Sequence, residues 1–118
     1  MSRSSFIADD AAARLSAGVA SYALSAPVRA VLEPTRGSAD VALARKVAMY
    51  LCHVAFEFSL TRVAAAFRRD RSTVAHACHY VEDRREDPAF DLWISGLEEL
   101  LRDAPAPSRT FVEAEVKP

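Results

Sequence analysis

Apolar residues recur three and four positions apart along most of this chain, the period of α-helices that bury one face. Leu15, Val19 and Tyr22, set among alanines, predict a first helix over residues 11–24. Pro27 opens a short apolar segment at 28–32, and Pro34 and Gly37 turn residues 33–39 into a loop. Asp40 is placed to cap a longer helix running to about residue 56, with Val47, Leu51, Val54 and Phe58 at helical spacing. Ser59 interrupts that pattern and caps the next helix, where Leu60, Val63, Ala64 and Phe67 form an inward stripe. After a polar break the stripe resumes with Val74, Ala77 or Cys78, and Val81. Asp87-Pro88 is a helix start, the acid as cap and the proline at the first helical position. The wide apolar face of Phe90, Trp93, Ile94, Leu97, Leu100 and Leu101 then closes the core, and Pro105 and Pro107 end the last helix.

The expected fold is therefore all-α: a compact helical bundle over residues 11–103, containing a helix-turn-helix. Residues 1–10, mostly small or polar, are expected to be disordered and residues 104–118 to form a flexible tail. Only three glycines among 118 residues agree with helices throughout. That length has room for one domain, so a separate catalytic or nucleotide-binding domain is not expected. No apolar run approaches the ~18 residues of a membrane span, and no basic stretch followed by an apolar one opens the chain. A soluble, cytoplasmic, nucleoid-associated protein with reduced cysteines is the expectation.

A net charge of −1 conceals a strong asymmetry. Residues 41–85 carry eight cations (Arg45, Lys46, Arg62, Arg68, Arg69, Arg71, Arg84, Arg85) against four acids, a balance of +4. Residues 86–118 carry three against eight, a balance of −5. A basic centre beside an acidic flank suits a face that meets phosphate, although a solvated helix face can carry the same charges.

The polar break between the two short helices holds Arg68, Arg69, Asp70, Arg71, Ser72 and Thr73. Two short helices so divided have the layout of a DNA-reading helix-turn-helix, which directs the start of its second helix into the major groove. Arginine grips a guanine edge with two donors, and Ser or Thr bonds either kind of base or touches a thymine methyl. Arg71, Ser72 and Thr73 fit those roles, with Asp70 placed to cap the helix. His76 and His79, further along its outward side, suit phosphate contacts or solvent. As plain capping groups, Asp70, Ser72 and Thr73 would carry no function.

Cys52-His53 and Cys78-His79, with His76, contain donors a zinc site could use. Adjacent residues on a helix point about 100° apart, so neither pair chelates readily, and no metal, cofactor or catalytic Cys-His pair is expected.

Ala44-Arg45-Lys46-Val47-Ala48-Met49-Tyr50-Leu51, then Ser59-Leu60, Ala66-Phe67 and Asp70-Arg71-Ser72-Thr73-Val74-Ala75-His76-Ala77-Cys78, resemble in order and spacing the C-terminal DNA-binding domain of the bacterial replication initiator DnaA. The likeness extends from about Val19 to Leu101. It implies that Arg45 enters the minor groove, where a narrow groove concentrates negative potential. It implies base contacts from Asp70, Arg71 and Ser72, and phosphate or thymine-methyl contacts from Thr73 and Val74. Leu60, Thr61 and Lys46 would lie near backbone phosphates, with Arg68, Arg69 and His76 completing the DNA-binding set.

Departures from the family pattern point to a different target sequence. Arg71 stands where the family reads bases with histidine, Ser72 replaces threonine, and Thr61 stands where proline is usual. Arg68-Arg69 stands where the family often has Gly-Gly-Arg. The loop at 33–39 carries only Arg36, against a strongly basic family loop, so fewer phosphates would be engaged. No phosphate-cradling Gly-x-x-x-x-Gly-Lys-(Ser/Thr) occurs.

The function so implied is a non-enzymatic, sequence-specific binder of double-stranded DNA that regulates transcription, resembling DNA-binding parts of activators of phage-like or gene transfer agent genes. RNA polymerase or a second regulatory protein would be its protein partner, met through the acidic last helix or the tail. Two alternatives are a binder of initiator boxes that modulates replication, and a protein-interaction module that has lost DNA binding.

Overall fold

The computed structural model describes residues 3–33 and 37–105, without the side chains of residues 3–7. Six helices follow one another, and no strand occurs among the described residues: α1 (Arg3–Leu24), α2 (Val28–Leu32), α3 (Ala39–Ala55), α4 (Leu60–Phe67), α5 (Arg71–Arg84) and α6 (Pro88–Arg102). The expected tail beyond Pro105 and the loop residue Arg36 lie outside the described residues.

Helix α3 is the centre of the bundle. Val41, Ala44, Val47, Ala48, Leu51 and Cys52 repeat at helical spacing, and Met49 and Tyr50 are buried as well. Apolar side chains on more than one face let it pack against all five other helices. The expected stripes of the helix-turn-helix face this core: Val63, Ala64 and Phe67 from α4, and Val74, Ala77, Cys78 and Val81 from α5, are all buried. In α6 the buried set is narrower than the apolar pattern. Phe90, Ile94 and Leu101 are buried, Trp93 and Leu97 are partly covered, and Leu100 remains 55% exposed.

Two expected boundaries are corrected. Helix α1 starts at Arg3, eight residues before the expected start, because its first turns have a tertiary partner. The Asp9 carboxylate, 5% exposed, accepts two hydrogen bonds from the Arg62 guanidinium at 2.7 and 3.0 Å. This paired fork ties the start of α1 to α4, and it stacks over the Phe58 ring at 3.7 Å. At the start of α3 the cap is Ser38, whose hydroxyl accepts from the Val41 amide at 3.3 Å, so Asp40 lies inside the first turn. There its charge still complements the helix dipole. The other caps are as the sequence indicates: Ser59 Oγ accepts from the Arg62 amide at 3.2 Å, and Asp87 accepts from the Ala89 amide at 3.0 Å with Pro88 following.

A partly buried polar cluster joins α3, α5 and α6. Arg85, directly after α5, donates to the Tyr50 hydroxyl at 2.8 Å, to Ser95 at 2.7 Å, to Asp91 and to Glu98. Burial alone would depress the Arg85 pKa, but its bonds to Asp91, Tyr50 and Glu98 more than reverse this, leaving a firmly charged guanidinium. Glu98 can therefore be buried at 7% exposure on the inner face of α6.

Candidate nucleic-acid interface

Helix α4 ends in the αL cap geometry of a Schellman turn. The Arg69 amide donates to the Ala64 carbonyl at 2.9 Å and the Arg68 amide to the Ala65 carbonyl at 3.3 Å. Arg68 carries the left-handed backbone this requires, φ 55° and ψ 49°. A side chain there costs ~1–2 kcal/mol, part of which glycine gives back as chain entropy. Arg68→Gly is expected to raise stability by about 0.5–1 kcal/mol in urea unfolding. A loss instead would show that the Arg68 side chain contributes packing that outweighs the strain.

The turn delivers Asp70 to the N-cap of α5 in an extended conformation, yet its carboxylate makes no capping bond. Arg71, Ser72 and Thr73, the first three residues of α5, are exposed, as are Arg68 and Asp70. These five side chains make no hydrogen bond or ion pair among the described residues. A polar group without an intramolecular partner at the start of the second helix is available to a base edge or phosphate.

Beside this exposed tip lies a groove of about 300 Å³ between α3 and α5, lined by Ala42, Arg45, Lys46, Met49, Arg69, Thr73, His76 and Ala77. Five of the twelve candidate DNA contacts, Arg45, Lys46, Arg69, Thr73 and His76, thus converge from two helices and the turn. Two of its arginines are held from behind. Arg45 donates to the Ala30, Val31 and Glu33 carbonyls at 2.8, 3.0 and 3.0 Å, and Arg69 donates to the same Glu33 carbonyl at 2.6 Å. Those carbonyls belong to the end of α2, where a helix lacks internal partners. Burial first, and the neighbouring Arg69 charge second, lower the Arg45 pKa.

Two other candidates stand at the opposite end of α4 from the turn. Thr61 is exposed on the first turn of α4, and Leu60 is partly covered by the core. Val74 is corrected: it is 0% exposed, so its side chain supports α5 from the core and offers no methyl to DNA. The stripe through Val74, Ala77, Cys78 and Val81 fixes that orientation. The sequence reading missed Tyr80, 41% exposed on the outer side of α5, where Lys46 Nζ lies 5.0 Å from its ring centre. Its signal was the spacing Thr73, His76, Tyr80, three and four residues apart on one face.

Cys52 and Cys78 are both buried, and burial pushes their thiols up to about 12 and about 11. They are neutral at ordinary pH and unsuited to nucleophilic or metal chemistry. No group of three His, Cys, Asp or Glu side chains among the described residues is arranged to hold a metal ion. Among the same residues no helix is long and apolar enough to cross a membrane.

Residues 21–81, just over half of the chain, match the family model described as the bacterial dnaA protein helix-turn-helix. The chain belongs to that family. The match runs from the end of α1 to Val81 in α5 and so includes the cationic groove and the exposed tip. Similar curated proteins include the chromosomal replication initiator protein DnaA of Lachnoclostridium phytofermentans, 39% identical over 70 residues, which are 58% of this chain and 16% of that protein. DnaA 2 of Chlamydia muridarum is 41% identical over 50% of this chain and 13% of its own length. DnaA of Aquifex aeolicus is 43% identical over 51% of this chain and 16% of its own length. The chain thus corresponds to about a sixth of each initiator's length or less. A crystal structure of a DNA replication initiation factor superposes on 80% of this chain and 29% of its own, with a TM-score of 0.71 and 29% identity. The DnaA-type helix-turn-helix is a DNA-binding fold, and in this chain α4, the turn and α5 form it.

Proposed function

We propose that this chain binds duplex DNA sequence-specifically and regulates transcription by occupying promoter DNA, without catalysing a reaction. One observation carries the reading: five polar side chains of the turn and the start of α5, without partners among the described residues, adjoin a groove lined by Arg45, Lys46 and Arg69, within a DnaA-type helix-turn-helix. In that arrangement the start of α5 enters the major groove and α3 with the turn faces the phosphates. Arg45 would exchange its bonds to the carbonyls at the end of α2 for the adjacent minor groove, and Leu60 and Thr61 at the start of α4 would lie along the backbone. The acidic α6 is the surface for RNA polymerase or a second regulator.

Even three phosphate contacts give a salt exponent near −2.7, so affinity for mixed duplex is expected to fall on the order of 40-fold between about 50 and 200 mM salt. A mobility-shift series measures this. Chromatin immunoprecipitation with sequencing is expected to return a shared motif upstream of regulated genes. Absence of binding, or binding indifferent to salt, would instead favour a module that meets only proteins.

A second reading follows from the relatives, which are named replication initiators. Asp70, Thr73 and Arg45 match that family, and a protein retaining its target would occupy initiator boxes and compete with initiation. Tighter binding to an initiator box than to its scrambled counterpart, with genomic occupancy at the origin, would replace the transcriptional reading by this one.

A further inference from the structure

We infer that Arg71 is the residue that sets base specificity in this protein, and that it does so by selecting a guanine. The inference rests on the DNA-reading role proposed above and adds which side chain discriminates and what it selects.

The cations of the basic centre divide by what holds them. Arg45 and Arg69 bind the carbonyls at the end of α2, Arg62 is locked in a fork with Asp9, and Arg85 lies in the partly buried cluster. Arg84 lies over the Phe90 ring at 4.5 Å, and Lys46 lies near Tyr80. Arg68 and Arg71 are different: both are exposed and have no intramolecular partner among the described residues, and of the two only Arg71 stands on α5, at its first position. Its whole fork of donors is available where a second helix begins.

Asp70 decides between the two things an arginine can grip there. Its carboxylate stands at the N-cap, bonded neither to the helix amides nor to Arg71. A negative group repels phosphate, so while Arg68 and Arg69 on the turn before it can meet the phosphates, Asp70 itself is disfavoured against the DNA backbone and favoured against the groove floor. There a carboxylate accepts from the exocyclic amines of cytosine or adenine. The neighbouring guanidinium meets the one edge that presents two acceptors side by side, the O6 and N7 of guanine. Its planar fork matches that pair, and a lysine ammonium does not.

The test is selection of binding sites from a random duplex pool, followed by sequencing, for the intact chain and for Arg71→Ala, Arg71→Lys and Arg68→Ala. Circular dichroism confirms that each variant folds. The intact chain is expected to enrich a motif with one near-invariant G·C pair. Arg71→Ala should weaken binding to that motif roughly 10- to 100-fold and abolish the preference at that pair alone. Arg71→Lys should retain the salt slope and lose the guanine preference, whereas Arg68→Ala should weaken all sequences alike. The inference is overturned if Arg71→Ala weakens every sequence equally and lowers the salt slope by about one, the mark of a phosphate contact. A motif without that G·C pair overturns it equally. If the intact chain enriches no motif, the DNA-reading proposal fails, and the guanine assignment with it. Enrichment of a motif indifferent to Arg71 sinks only the second.

Discussion

Arg85→Ala is expected to destabilise the protein by about 3–5 kcal/mol, because it strands Glu98 in the core without its principal counter-charge. Glu98 has a side chain only 10% exposed, and its remaining ionic contact is Arg102 at 3.5 Å. Tyr50 and Ser95 lose partners in the same event. Asp91, with its side chain about half exposed, is screened by water and adds little. At ~4–8 °C per kcal/mol for a domain of this size, the thermal midpoint should fall by more than about 10 °C. Adding Glu98→Leu to Arg85→Ala should recover part of the loss, since the stranded charge is then gone. A drop below ~1 kcal/mol in calorimetry would mean that water reaches the cluster and that it does not tie α5 to α6.

Val74→Asp is expected to be the most damaging single change on α5, costing more than about 4 kcal/mol. Val74 is fully buried in the core beneath the second helix, and no cation in its stripe of Ala77, Cys78 and Val81 would pair with the new carboxylate. Small domains hold only ~5–15 kcal/mol in all, so this variant should show lost ellipticity at 37 °C and lose DNA binding through loss of fold. Val74→Ala separates support from contact. It should lower the urea midpoint while leaving the base preferences of the remaining folded protein unchanged. An unchanged midpoint with an altered motif would return Val74 to the DNA surface.

The helix count and most boundaries were legible in the sequence because they depend on local rules. Apolar spacing, Ser59 and Asp87 as caps, and Pro88 at the first helical position each act within one or two turns. The inward stripe of α4 and α5 was equally legible, and it contained the correction to Val74: a residue in that stripe cannot also face DNA. Family likeness assigned Val74 a contact, and the periodicity of its own helix overrides that assignment. The start of α1 was not legible, because residues 3–10 hold only Phe6 and Ile7 as large apolar residues, too few to show a helical period, and the segment is tied down by Arg62, fifty-three positions beyond Asp9. The cap of α3 was misplaced by two residues for a smaller reason: Ser38 and Asp40 are both good caps, and backbone geometry chooses between them.

The interface divides the same way. The sequence by itself determined a helix-turn-helix, a basic centre, and the residues Asp70 to Thr73 at the start of its second helix. These follow from composition and spacing, which no packing rearrangement alters. Tertiary structure decided which of the cations are available. Arg45, Arg62, Arg69 and Arg85 are held by distant carbonyls and carboxylates brought near by the fold, while Arg68 and Arg71 have no such partner among the described residues. One-dimensional spacing cannot show this, because a guanidinium reaches its partner across the bundle, over separations of 12 to 53 residues for the first three. Charge along the chain marked the face, and packing between helices selected the side chains that can read from it.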